Sequence, residues 1–65
     1  MYLFLTDDKG YSALHLAAME GQMGIVNKLL DWGIDAEATD LMGFRALDFA
    51  IARGEWEIVR KLRHL

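Results

Sequence analysis

Apolar residues recur along this chain at helical spacing, in short blocks divided by glycine. Leu14, Ala17 and Ala18 fall at i, i+3 and i+4. That spacing puts them on one face of a helix, which Gly21 ends because it adopts the left-handed cap conformation without steric cost. A second block of Ile25, Val26, Leu29 and Leu30 predicts a buried stripe on a helix from about Met23 to Trp32, with Gly33 as its stop. The two patterns return at Ala46 to Arg53 and at Trp56 to His64. Trp56 is expected to fill core space beside Ile58. Trp32, beside Gly33, is expected either to stand partly exposed or to cover its helix end. Helices of this length are marginal alone and need tertiary packing. Between Gly33 and Gly43 lie Asp35, Thr39 and Asp40, whose side chains favour turns by bonding to nearby backbone.

The glycines reveal why the blocks recur. Gly10 and Gly43 are 33 residues apart, and so are Gly21 and Gly54. Sliding residues 7–32 onto 40–65 gives ten identities in 26 pairs, among them Asp7 with Asp40, Leu14 with Leu47, Ile25 with Ile58 and Leu29 with Leu62. Ordinary composition would give roughly two. A repeat of this length reads as one supersecondary unit that buries its faces only by stacking on a neighbour.

The stretch Asp7-x-x-Gly10-x-Ser12-Ala13-Leu14-His15-x-Ala17-Ala18-x-x-Gly21, followed by Ile25-Val26-x-x-Leu29-Leu30-x-x-Gly33, resembles an ankyrin repeat. Asp40-x-x-Gly43-x-Arg45-Ala46-Leu47-Asp48-x-Ala50-x-x-x-Gly54, followed by Ile58-Val59-x-x-Leu62, resembles a degenerate terminal one. The resemblance implies an all-α solenoid of two helix-turn-helix repeats joined by a hairpin-like loop, used for binding proteins and not for catalysis. It divides the chain into a leading segment 1–6, extended or the remnant of a preceding repeat, a first repeat 7–39 and a shortened, capping-like second repeat 40–65.

Departures from the family pattern sharpen that division. Its Thr-Pro-Leu-His becomes Ser12-Ala13-Leu14-His15 and then Arg45-Ala46-Leu47-Asp48. Ser12 retains a capping oxygen; Arg45 has none. Loss of the proline that fixes the first turn loosens both helix starts modestly. Leu30 and Asp31 correspond to Arg63 and His64, so polar residues replace a stripe where no further repeat stacks. The first repeat has no such polar face. It is expected either to continue a longer array or to be covered by another copy or another subunit.

Sixty-five residues without cysteine and with only two histidines exclude disulfide reinforcement and leave too few ligands for a structural zinc. At 54% hydrophobic and without proline, the chain is too apolar for disorder. The net charge of −3 argues against attraction to nucleic acid or anionic membranes. It is unevenly spread: residues 1–44 carry two cations against seven anions, and residues 45–65 five against three. The basic end fits solvated helix faces and dipole complementation. Met1 to Leu5 is an apolar run too short to span a membrane. The absence of cysteine fits an intracellular setting, cytoplasmic or nuclear.

Catalytic machinery has no trace in the pattern. Ser12 stands three residues before His15, but no third orienting group or oxyanion motif accompanies it. His15 is expected instead in the hydrogen-bond network at a helix start. Gly21-x-x-Gly24 lies on a turn without basic neighbours, unlike an RNA-backbone clamp. No cofactor or metal is implied. Carried over by the resemblance, the partner-binding positions are the hairpin tips and inner helices: Asp8, Lys9, Tyr11, Met19 and Glu20, then Leu41, Met42, Phe44, Ala52 and Arg53. Leu41, Met42 and Phe44 place apolar side chains at a tip where polar ones are expected, which marks an interaction site. The alternative is that Phe44 folds back on a neighbour while Leu41 and Met42 are tolerated exposures.

Overall fold

Four helices carry the chain, one at each of the apolar blocks just described. The computed structural model describes residues 11–65. The helices are α1 (Ala13–Glu20), α2 (Met23–Asp31), α3 (Ala46–Arg53) and α4 (Trp56–Arg63), with no strand among the described residues. Helices α1 and α2 form one antiparallel pair, α3 and α4 the next. The pairs stack through α1 against α3 and α2 against α4.

Each pair turns on a glycine. Gly21 has φ of 70° and Gly54 of 71°. In both turns the next amide folds back along the helix: Gln22 N–H donates to Ala17 O and Glu55 N–H to Ala50 O, both at 2.9 Å. Orphan carbonyls at the helix end are thereby satisfied.

The core lies between the pairs. Ala18 and Ala50 are fully buried, as are Ala17 and Ala46 nearly so, and these small side chains allow α1 and α3 to approach closely. Leu14, Val26, Leu29, Ile34, Ile58, Val59 and Leu62 complete one continuous cluster. Ile34 joins it because the chain reverses at Gly33, with φ of 86°, and Ile34 N–H donates to Leu29 O.

Two core assignments need correction. Ile25 is 48% exposed although its counterpart Ile58 is 1% exposed. The difference is position: Ile58 faces the first helix pair, whereas Ile25 stands on the face turned away from the second, leaving Val26 and Leu29 to carry the α2 stripe with Leu30 half-buried. Trp56, expected in the core, is 63% exposed. It is the first residue of α4, and its indole lies over the Gly54 turn. Trp32 is also exposed, and the end of α2 is closed by its backbone N–H on Lys28 O, not by its ring.

Candidate functional site

The hairpin-like loop between α2 and α3 is held by carboxylates bonded to backbone. Asp35 Oδ1 accepts from Glu37 N–H at 2.9 Å. Asp40, 7% exposed, accepts through Oδ1 from Met42 N–H and Phe44 N–H, each at 2.9 Å. Its own N–H donates to Phe44 O at 2.9 Å, and Gly43 N–H donates to Asp40 O at 3.0 Å. Gly43 takes φ of 86°, a value glycine adopts without penalty. The turn is thus closed by main-chain bonds and one buried carboxylate.

His15 ties this turn to the first helix pair. It is fully buried. Its Nδ1 accepts from Ser12 N–H at 3.1 Å and lies 2.8 Å from Ser12 Oγ. The proton consequently sits on Nε2, which donates to Phe44 O at 2.7 Å. Ser12 Oγ accepts from His15 N–H at 3.3 Å, so the pair caps α1 reciprocally, with histidine where a glutamate usually stands. These contacts place Ser12 and His15 in a helix cap. In the second pair only half of that device remains: Asp48 Oδ2 accepts from Arg45 N–H at 2.9 Å, and arginine offers no acceptor in return. Arg45 instead donates from Nη1 to Glu37 at 3.0 Å, and that hydrogen bond, with the charge behind it, raises the guanidinium above its ordinary pKa.

On this hydrogen-bonded turn Leu41 and Met42 are 77% and 79% exposed. Phe44 is 47% exposed and also packs edge-on against Phe49, with ring centroids 5.9 Å apart. Phe49 meets Tyr11 at 5.5 Å and His15 at 5.7 Å. Tyr11, half-buried, therefore joins Phe44 in one aromatic cluster. Phe49 is the member that sequence reading missed. The available signal was an aromatic ring in the place of Leu16, one helix turn from the loop.

The remaining candidates lie elsewhere. Met19 is half-buried, and Glu20, Ala52 and Arg53 are exposed. They sit at the far ends of α1 and α3, about 10 Å along the helix from the tip at 1.5 Å per residue. Asp8 and Lys9, like the leading segment 1–6, lie outside the described residues. On the opposite side, between α2 and α4, Met23, Glu57, Arg60, Lys61 and His64 line an open hollow of mixed charge. Among the described residues no three His, Cys, Asp or Glu side chains are grouped as a metal site would need, and no helix is long and apolar enough to cross a membrane.

Comparison with known proteins agrees with this architecture. The family described as "Ankyrin repeats (3 copies)" matches residues 2–65. A protein of Neisseria meningitidis serogroup B, described as an ankyrin repeat protein, is 38% identical over 61 residues, covering 94% of this chain and 24% of that protein. A protein of Oryza sativa subsp. japonica described as an E3 ubiquitin-protein ligase is 41% identical over 51 residues, covering 78% of this chain and 10% of its own length. A transient receptor potential cation channel homolog of Caenorhabditis elegans is 38% identical over 60 residues, covering 92% of this chain and 5% of that protein. The chain thus spans a quarter or less of these relatives. Ankyrin repeats generally bind proteins, and the repeat region is itself non-catalytic. With a match across nearly its whole length and two helix pairs stacked in the corresponding order, the chain belongs to the ankyrin-repeat family.

Proposed function

We propose that this chain is a protein-binding module whose contact surface centres on the loop tip formed by Leu41, Met42 and Phe44. One observation carries the reading: Leu41 and Met42 are more than three-quarters exposed on a turn whose backbone is closed by buried Asp40. A loop whose backbone is already closed has little main-chain freedom left to lose on binding, which favours affinity. The half-exposed Phe44, backed by Phe49 and Tyr11, supplies an aromatic anchor of the kind that dominates interfaces. Arg53, Glu20 and Met19 extend the surface along the inner helices as rim contacts, and the partner is a protein, not a nucleic acid or membrane.

The test is site-specific photo-crosslinking in extract of the source organism, with the crosslinker at Met42 and, as control, at exposed Asn27 on α2. Crosslinking of a discrete protein from position 42, lost in Leu41→Asn with helicity unchanged, is the expected outcome. Equal labelling from both positions sinks the assignment.

A second reading, structural in class, is favoured by a separate observation. Leu16 and Ile25 are 41% and 48% exposed, in the repeat positions that Phe49 and Ile58 hold 33 residues on, and burying them makes the chain an assembly unit.

A further inference from the structure

We infer that the hollow between α2 and α4 is a second docking surface, and that its occupant is an extended acidic segment of a protein partner with an apolar residue at one end. The surface is separate from the loop tip and does not depend on it.

Four of the five residues around the hollow come from one face of α4, since Glu57, Arg60, Lys61 and His64 fall at i, i+3, i+4 and i+7. All four are exposed. The fifth is Met23, the first residue of α2, half-buried against the core. Glu55, just before α4, reaches Gly21, just before α2, so the two helices begin side by side and Met23 is level with Glu57. The row from Glu57 to His64 is about 10 Å long at 1.5 Å per residue, a length that three extended residues match. At about 460 Å³ and open to solvent, the hollow suits a strand of peptide laid across it better than an enclosed small molecule.

The charge at the far end selects an acidic occupant. A helix dipole leaves only about half a negative charge at its C-terminus. Helix α2 meets it with Lys28 alone, but α4 sets Arg60, Lys61 and Arg63 in its last turn, more positive charge than the dipole offsets. Neighbouring carboxylates do not take up the surplus. Among the described residues ion pairs form only at Arg45, and Glu57 makes none although Lys61 follows at i+4. These cations are thus left to donate charge-assisted hydrogen bonds to a partner's carboxylates, and His64 offers a ring N–H in either protonation state. At the near end Glu55 and Glu57 repel an anion and leave that place to an apolar side chain against the adaptable Met23. Such polarity disfavours nucleic acid, which carries a phosphate at every residue.

The probe is a blocked Leu-Asp-Glu-Glu peptide, titrated into the isotopically labelled 65-residue chain and followed by amide NMR shifts. Saturable shifts at Met23, Arg60, Lys61 and His64, with none at Leu41 and Met42, are expected. Arg60→Gln with Lys61→Gln should raise the dissociation constant at least about tenfold, with helicity unchanged because both side chains are exposed. Glu57→Gln should lower it about twofold. In the unaltered chain, raising the salt from about 0.05 M to about 0.5 M should also raise it several-fold, because salt screens exposed charges. Equal shifts from a Leu-Asn-Gln-Gln peptide overturn the acidic occupant. So does the same row of shifts from a single-stranded oligonucleotide at an equal or lower dissociation constant. Absence of shifts from the acidic peptide overturns the surface itself.

Discussion

Residues 33 positions apart in the two helix pairs share a place in the fold but meet different neighbours, and side-by-side they separate local from tertiary causes. The Gly21 and Gly54 turns agree within a degree in φ, because that geometry is made by one helix end and its own backbone. Leu14 is 1% exposed while Leu47 is only half-buried. Ala18 is fully buried while Ile51 is 46% exposed. Those differences follow from which side has a stacked neighbour. Local turn chemistry is repeated faithfully; burial is decided by the stack.

The largest way to break this pairing is to remove a leucine. Leu14→Ala should cost roughly 2–5 kcal/mol, as for a fully buried leucine, and Leu47→Ala about 1 kcal/mol, measured by urea denaturation. Next comes the histidine bridge. His15→Ala removes the Nε2 donor to Phe44 O, which keeps only Asp40 N–H, and the buried Nδ1 acceptor for Ser12 N–H, while Ser12 Oγ keeps the residue-15 N–H; it should cost about 2–3 kcal/mol. Asp48→Ala, its counterpart, gives up one bond to Arg45 N–H and should cost under about 1 kcal/mol. Amide exchange at Met42 and Phe44 should also accelerate in His15→Ala, but not in Asp48→Ala.

Caps give a smaller contrast. Ser12→Ala removes the acceptor for His15 N–H and should lower stability by about 1 kcal/mol. Arg45→Ser supplies the oxygen that α3 lacks and should raise the thermal midpoint, since the exposed pair with Glu37 that it gives up adds little. The smallest effect is a gain. Gly24 lies in α2 with nothing within 4 Å of an added Cβ and without a positive φ. Gly24→Ala should therefore stabilise by about 0.5 kcal/mol.

Much of this was legible in the residue order. The period, the four helices to within a residue at their ends, the Gly21 turn, the His15 network and the exposed apolar tip all follow from spacing and local chemistry. Ile25 and Trp56 did not, for one reason: helical periodicity says which face of a helix is apolar, not whether anything stands against it. Ile25 and Ile58 are the same residue at the same repeat position, and only the three-dimensional order of the pairs gives one a neighbour. Trp56 shows the complementary failure, since a large aromatic at the first residue of a helix lies over the preceding turn as readily as inside the core. That Phe44 folds back on a neighbour stood as an alternative in the residue order; that the neighbour is Phe49 did not, because Phe49 reaches the loop from α3.

The most direct test of the account is therefore the matched pair Ile25→Ala and Ile58→Ala, made in the same 65-residue chain and unfolded in urea side by side. Ile58→Ala should lose roughly 2–5 kcal/mol and Ile25→Ala no more than about 1 kcal/mol. Equal losses would contradict the assignment of these identical residues to a stacked and an unstacked face.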